Sequence, residues 1–176
     1  MNSDTIATST TEPGSVLLCS EIDSTSLQTL LAQYAIELHQ TPARENIPGS
    51  FWQDAEAGLI ANRLYVRDDT PVHSALHEAC HYICMDQKRR TQLHTNAGGG
   101  YAEEDAVCYL QILLAEQIPQ MLHKRMLRDM DAWGYSFRLG SAQAWFEDDA
   151  EDAQQWLITH HIIDASNKPT GKLRID

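Results

Sequence analysis

Apolar positions along the chain recur mostly at helical spacing, with one stretch that breaks the pattern. Leu27, Leu30, Leu31, Tyr34, Ile36 and Leu38 predict a helix from Ser24 to Gln40, with Asp23 or Ser24 as its cap and Pro42 beyond its end. Ala57 to Arg67 reads instead as one or two short strands, turning near Ala61-Asn62. Asp68-Asp69-Thr70-Pro71 interrupts the chain, and Thr70 as N-cap with Pro71 at the first helical position begins a helix that runs to about Asp86. A polar connection, Lys88 to Gly100, ends in three glycines that read as a flexible link. Further helices are expected from about Glu103 to Glu116, from beyond Pro119 to Asp131, and from Ala142 to His160 with Ser141 as cap. The pattern predicts an α+β fold, mostly helical, with a small sheet ahead of the helix that starts at Pro71.

Residues 1–15 are rich in Ser and Thr, with neither a basic start nor an apolar core, and read as a disordered tail rather than a secretory signal. Residues 16–165 form a single expected domain, and 166–176 a polar C-terminal tail. The formal net charge of −12, from 25 acidic against 13 basic residues, excludes nucleic acid and anionic membrane as main partners, since no basic block can neutralise phosphates. No run of 18 apolar residues exists to span a membrane. Cys80 and Cys84 lie one helical turn apart, where a bridge would be strained. With Cys19 and Cys108 they make no disulfide framework, so the expected compartment is the reducing cytoplasm.

The candidate chemistry lies in His77-Glu78-Ala79-Cys80-His81. Residues four apart share a helix face, so His77 and His81 can offer two imidazole nitrogens to one metal ion. Glu78 lies about 100° round the same turn, placed to take a proton from a water. Val72, Leu76, Ala79 and Ile83 fall within a stripe about 60° wide, the expected core face, with the histidines on its flank. Cys80 and Cys84 read as small buried hydrophobes, and His73, one turn earlier, as a surface or supporting residue.

A third ligand is expected from the following helix, where Ala106, Val107, Leu110, Leu113, Leu114 and Ile118 form the apolar stripe. Glu103 lies at the centre of that stripe, and a carboxylate there is costly unless a cation or hydrogen-bond donor meets it, as a zinc ion on His77 and His81 would. Glu103 is therefore the leading third ligand, with Glu104 in reserve. The other reading of Glu103 is a half-exposed acid in the first turn, stabilised by the helix dipole.

His77-Glu78-x-x-His81, then Glu103 and Ala106, resembles the gluzincin metallopeptidases. The stretch Glu103-Glu104-Asp105-Ala106-Val107-Cys108-Tyr109-Leu110, continuing to Leu113-Leu114 and Pro119, is similar to the ImmA/IrrE zincin-like peptidases, although Ala79, Val107 and Leu110 depart from the residues usual there. The resemblance spans Arg67 to Pro119. It implies a zincin-like domain and a cytoplasmic peptidase that acts on a polypeptide or a regulatory protein partner.

The expected activity is zinc-dependent hydrolysis of peptide bonds, with one Zn2+ ion on His77, His81 and Glu103 and with Glu78 as general base. The alternative is a catalytically inactive, zincin-like metal-binding protein that serves as a regulatory interaction module. A substrate peptide is expected to pair with an edge of the Ala57–Arg67 strands. Tyr101, His94 and Tyr135 are candidates to stabilise the oxyanion. Trp133, Trp145, Phe146 and Trp156 are expected to fill a C-terminal core.

Overall fold

The structure, a computed structural model, describes residues 15–51 and 55–176. The expected N-terminal tail lies outside the described residues except for Ser15, whose carbonyl accepts a bond from Arg125. The described residues form seven α-helices and a three-stranded sheet, an α+β arrangement. Helix α1 (Ser24–Ala32) leads to strands β1 (Glu37–Gln40), β2 (Gly58–Ile60) and β3 (Arg63–Val66). Helices α2 (Val72–Cys84), α3 (Gln87–Thr91) and α4 (Tyr101–Leu114) follow, then α5 (Leu122–Trp133), α6 (Ala142–Asp148) and α7 (Glu151–Thr159). No helix among them is long and apolar enough to cross a membrane.

The first helix stops earlier than its apolar pattern suggests. Asp23 caps it by accepting from Thr25 N–H. Ala35 then takes a left-handed φ of 56°, and Ile36 N–H returns to the Leu31 carbonyl at 3.1 Å. Ile36 and Leu38 thus belong to a period-two pattern, and β1 pairs in parallel with β3, Leu38 opposite Leu64. β2 pairs antiparallel with β3, as the turn at Ala61-Asn62 requires, giving the order β1-β3-β2.

Helix α2 lies between this sheet and α4. Its start differs by one residue from the expectation. Pro71 is the extended N-cap, and the Thr70 hydroxyl accepts from Arg67 N–H to close the turn before it. Val72, Leu76, Ala79 and Ile83 are all fully buried, as their stripe predicts. Helix α4 packs on α2, α5 and α7, with Ala106, Val107 and Leu110 inside. The expected helical region from Ala142 to His160 is two helices, α6 capped by the Ser141 hydroxyl and α7.

Two segments read as loose are held. Leu93 is buried, and Leu93 and Thr95 bond the outer side of β2 through Ala61 N–H to Leu93 O and Thr95 N–H to Leu59 O, both 2.9 Å. That edge is therefore occupied, contrary to the expectation of a free edge there for substrate. The polar C-terminal residues fold back along α2. Arg174 N–H bonds Ile83 O at 2.9 Å, and its guanidinium lies 5.4 Å from the centre of the Trp156 ring.

Gly58 starts β2 where another chain segment crosses closely. A Cβ at this position would lie 1.9 Å from Pro48 O and 2.5 Å from Ser50 N. The backbone there cannot yield without opening the turn beneath β2. Gly58→Ala is expected to cost about 3 kcal/mol of stability through overpacking, read as a lowered urea midpoint. An unchanged midpoint would contradict the packing described.

Candidate metal centre

His77 and His81, one turn apart on α2, point their Nε2 atoms at the first turn of α4. The two nitrogens are 3.1 Å apart. Glu104 places Oε1 3.1 Å from His77 Nε2 and Oε2 3.3 Å from His81 Nε2. Three donors about 2.0–2.1 Å from one ion in a tetrahedral shell stand roughly 3.3 Å apart. The spacing of these atoms matches that shell, and the group can hold a metal ion.

The tautomer of His77 supports the same reading. Its Nδ1 lies 2.7 Å from Oε1 of Gln111, a wholly buried side chain on α4. An amide oxygen only accepts, so Nδ1 carries the hydrogen and the Nε2 lone pair faces His81 and Glu104. His81 Nδ1 is buried without a hydrogen-bond partner, so without a cation the His81 hydrogen fits on Nε2, facing His77 and Glu104. A cation would take the place of that hydrogen.

Glu103, expected as the leading ligand, does not join this group. Glu103 is 7% exposed, and its carboxylate meets Arg89 Nη2 at 2.6 and 2.8 Å and Arg174 Nη1 at 3.3 Å. The expectation that a buried carboxylate must find a cation holds, but the cations are guanidinium groups. Arg89 comes from α3 and Arg174 from the C-terminal segment, too distant in sequence for helical geometry to reveal. Gly99, with φ +98°, lies against this cluster, where a Cβ would stand 2.7 Å from Glu103 Oε1. Gly99 thus lets α4 start close beside an ion pair, which turns Glu104 toward the histidines.

The group opens into a cleft of about 410 Å³ lined by Glu78, Glu56, His73, Trp133 and Tyr135, among others. Trp133, expected in a C-terminal core, is 45% exposed on this cleft, whereas Trp145 is buried. Of the three candidates for oxyanion stabilisation only Tyr135 lines the cleft; Tyr101 is 94% exposed. His94 bonds its neighbour Thr95. His73, expected as a surface or supporting residue, is buried, with Nδ1 3.2 Å from the Tyr135 hydroxyl. Cys80, Cys84 and Cys108 are buried free thiols. Gln111, Arg89 and Arg174 were not foreseen. A Gln within an apolar helix stripe was the one local signal available, because a buried amide needs partners.

Electrostatics separate the roles. Burial opposes charge on His77, yet the Tyr135 oxygen, the Cys108 thiol and the Glu104 carboxylate raise its pKa well above the ordinary value. Burial and the nearby His77 push His81 down to about 4. Burial raises Glu104, but contact with His77 outweighs it and the net shift is downward. Glu78 is pushed up to about 7 by burial, with His77 opposing and the Glu104 and Glu56 carboxylates adding to the rise. A carboxylate that titrates near neutrality suits proton transfer.

Comparison of the chain with protein-family models, curated proteins and solved structures gave no match.

Two outcomes follow from this geometry. Glu104→Ala is expected to abolish metal loading measured by elemental analysis. Glu103→Ala should keep the metal and lose about 1–3 kcal/mol of stability, because two guanidinium groups lose their acceptor. The reverse assignment of losses would contradict the grouping. The contacts of His77 raise its pKa, and any proton it carries must leave before it can bind a metal. Loading should therefore release protons, with affinity rising as pH rises. Calorimetry in buffers of different ionisation enthalpy measures this, and a buffer-independent enthalpy would contradict it.

Proposed function

We propose that the protein is a zinc-dependent hydrolase of peptide bonds. The observation that carries this reading is the convergence of His77, His81 and Glu104 within a cleft that also holds Glu78. Two imidazoles and one carboxylate form a donor set suited to zinc, and three protein ligands leave a position open. An ion held there would lower the pKa of water toward neutrality and polarise a carbonyl oxygen. Glu78 accepts the proton of the attacking water and delivers it to the departing amine. Its raised pKa keeps the proton exchangeable at neutral pH rather than committing the side chain to one state.

The substrate in this reading is a polypeptide. The cleft is open along one side, and the segment Thr95–Gly98 forms part of its wall. That segment continues from the residues that cover β2, so backbone groups lie beside the site where an extended chain can run. The resemblance of His77-Glu78-x-x-His81 and the α4 stretch to gluzincin peptidases supports the same substrate class. The acidic chain does not suit nucleic acid, and the buried unpaired thiols fit a reducing, cytoplasmic setting.

The test is Glu78→Gln. Wild-type protein loaded with zinc should hydrolyse an unfolded protein substrate in a chelator-sensitive manner. The variant should lose at least about 100-fold in rate while retaining its metal and its fold. The acid limb of the wild-type rate profile should fall below about pH 7, because Glu78 must be unprotonated to act and a bound cation lowers its pKa further. A metal-loaded wild type without turnover would contradict catalysis and favour a metal-binding interaction module.

A further inference from the structure

One carboxylate of the cleft is left without a partner. Glu104 faces the imidazoles and Glu78 is assigned to proton transfer, whereas half-buried Glu56 makes no ion pair or hydrogen bond among the described residues. No lysine or arginine is among the described residues that line the cleft. A divalent ion offsets two of the three carboxylates, so one negative charge stays uncompensated. In a confined site of a chain with net charge −12, that charge attracts a cation.

Backbone contacts fix where Glu56 sits. The Ser74 hydroxyl accepts from Ala57 N–H at 3.0 Å, which ties the residue after Glu56 to the first turn of α2. Gly58 is wedged against Pro48 and Ser50, so this segment has little room to shift. Ser74 precedes Glu78 by four residues, about 6 Å along the helix. At the same end of α2, Trp133 lies against the ring of His73, the neighbour of Ser74, with centroids 5.0 Å apart. Glu56 and Trp133 therefore both stand beside the start of α2, on the wall of one cleft.

The chemistry of this end suits a hydrogen-bond donor. Trp133 is 45% exposed, and the free part of an indole ring attracts ammonium and guanidinium groups and covers the alkyl stem that carries them. His73 beneath it is 1% exposed, and its Nε2 has no hydrogen-bond partner. An orphaned buried N–H is rarer than an under-satisfied acceptor, so this nitrogen holds a lone pair. Burial and the nearby His77 push the His73 pKa down to about 4, so the ring brings no positive charge to repel a cation. A carboxylate, a π face and an imidazole lone pair all favour a group that donates and never accepts. Among polypeptide side chains those groups are the Lys ammonium and the Arg guanidinium.

We infer that Glu56 and Trp133 form a subsite for a Lys or Arg side chain of the substrate, one or two residues from the bond that is cut. Glu56 meets the charge and Trp133 the stem. An extended chain advances about 3.3–3.6 Å per residue, so the distance from Ser74 to Glu78 spans no more than two. The subsite rests on the hydrolytic function proposed above and narrows its substrate class.

The experiment maps, by mass spectrometry, the bonds that the zinc-loaded, full-length protein cuts in dephosphorylated casein, an unfolded protein. At one fixed position within two residues of internal cuts, Lys and Arg should be enriched at least about fivefold over their frequency in casein, as a partly buried ion pair supplies. Glu56→Gln should reduce this enrichment to below about twofold. Glu56→Lys should replace it with enrichment of Asp and Glu. Internal cuts without enrichment in the wild type, or an enrichment that both variants keep, overturn the subsite alone. Loss of all cleavage in both variants, with zinc content and fold retained, would assign Glu56 to the chemistry and also overturn it. Cuts confined to the N-terminus of casein would assign the cation to an α-amino group and overturn a side-chain subsite. Wild type without chelator-sensitive cleavage overturns the function and the subsite together.

Discussion

Three nitrogen and oxygen atoms packed closely enough to need a cation or a hydrogen among them are the constraint on which the site depends. His77 Nε2, His81 Nε2 and the Glu104 carboxylate stand 3.1–3.3 Å apart, and Gln111 withholds from His77 the tautomer that would let Nε2 donate. Without a cation the arrangement is held by hydrogens among these atoms, and contact with Glu104 helps to raise the pKa of His77. With one it becomes a ligand set. The packing of α2 on α4 holds the atoms together whether or not that charge is present.

Adjacent carboxylates on α4 meet this demand for positive charge in different ways. Glu103 faces inward and is neutralised by Arg89 and Arg174. Glu104, about 100° round the helix, faces the imidazoles. The first arrangement supports the second, because anchoring Glu103 fixes the opening turn of α4 and hence the direction of its neighbour. Gly99 permits the close approach, and the C-terminal segment supplies one of the two guanidinium groups. Residues far apart in sequence therefore contribute to a site whose ligands occupy fewer than 30 positions, from His77 to Glu104.

Local pattern made much of this legible. The hairpin at Ala61-Asn62, the buried stripe of α2, the apolar face of α4 and the cap at Ser141 all follow from spacing and capping chemistry. The end of α1 was not legible, because Ile36 and Leu38 extend the helical stripe plausibly while belonging to a strand whose partner lies more than 20 residues on. The choice between Glu103 and Glu104 failed for a related reason. Helical angles show which carboxylate is buried, but not which cation it meets, and Arg174 is brought in only by tertiary folding. Gln111 and His73 show the same limit, since a buried polar residue announces the need for a partner without naming it.

X-ray absorption at the zinc edge on the loaded protein tests the central claim most directly. Coordination by His77, His81 and Glu104 predicts a shell of nitrogen and oxygen at about 2.0–2.1 Å, with two imidazoles in the outer scattering and no sulfur. A sulfur shell at about 2.3 Å would place the ion on the buried cysteines instead. That result, or a single imidazole in the shell, would contradict the account.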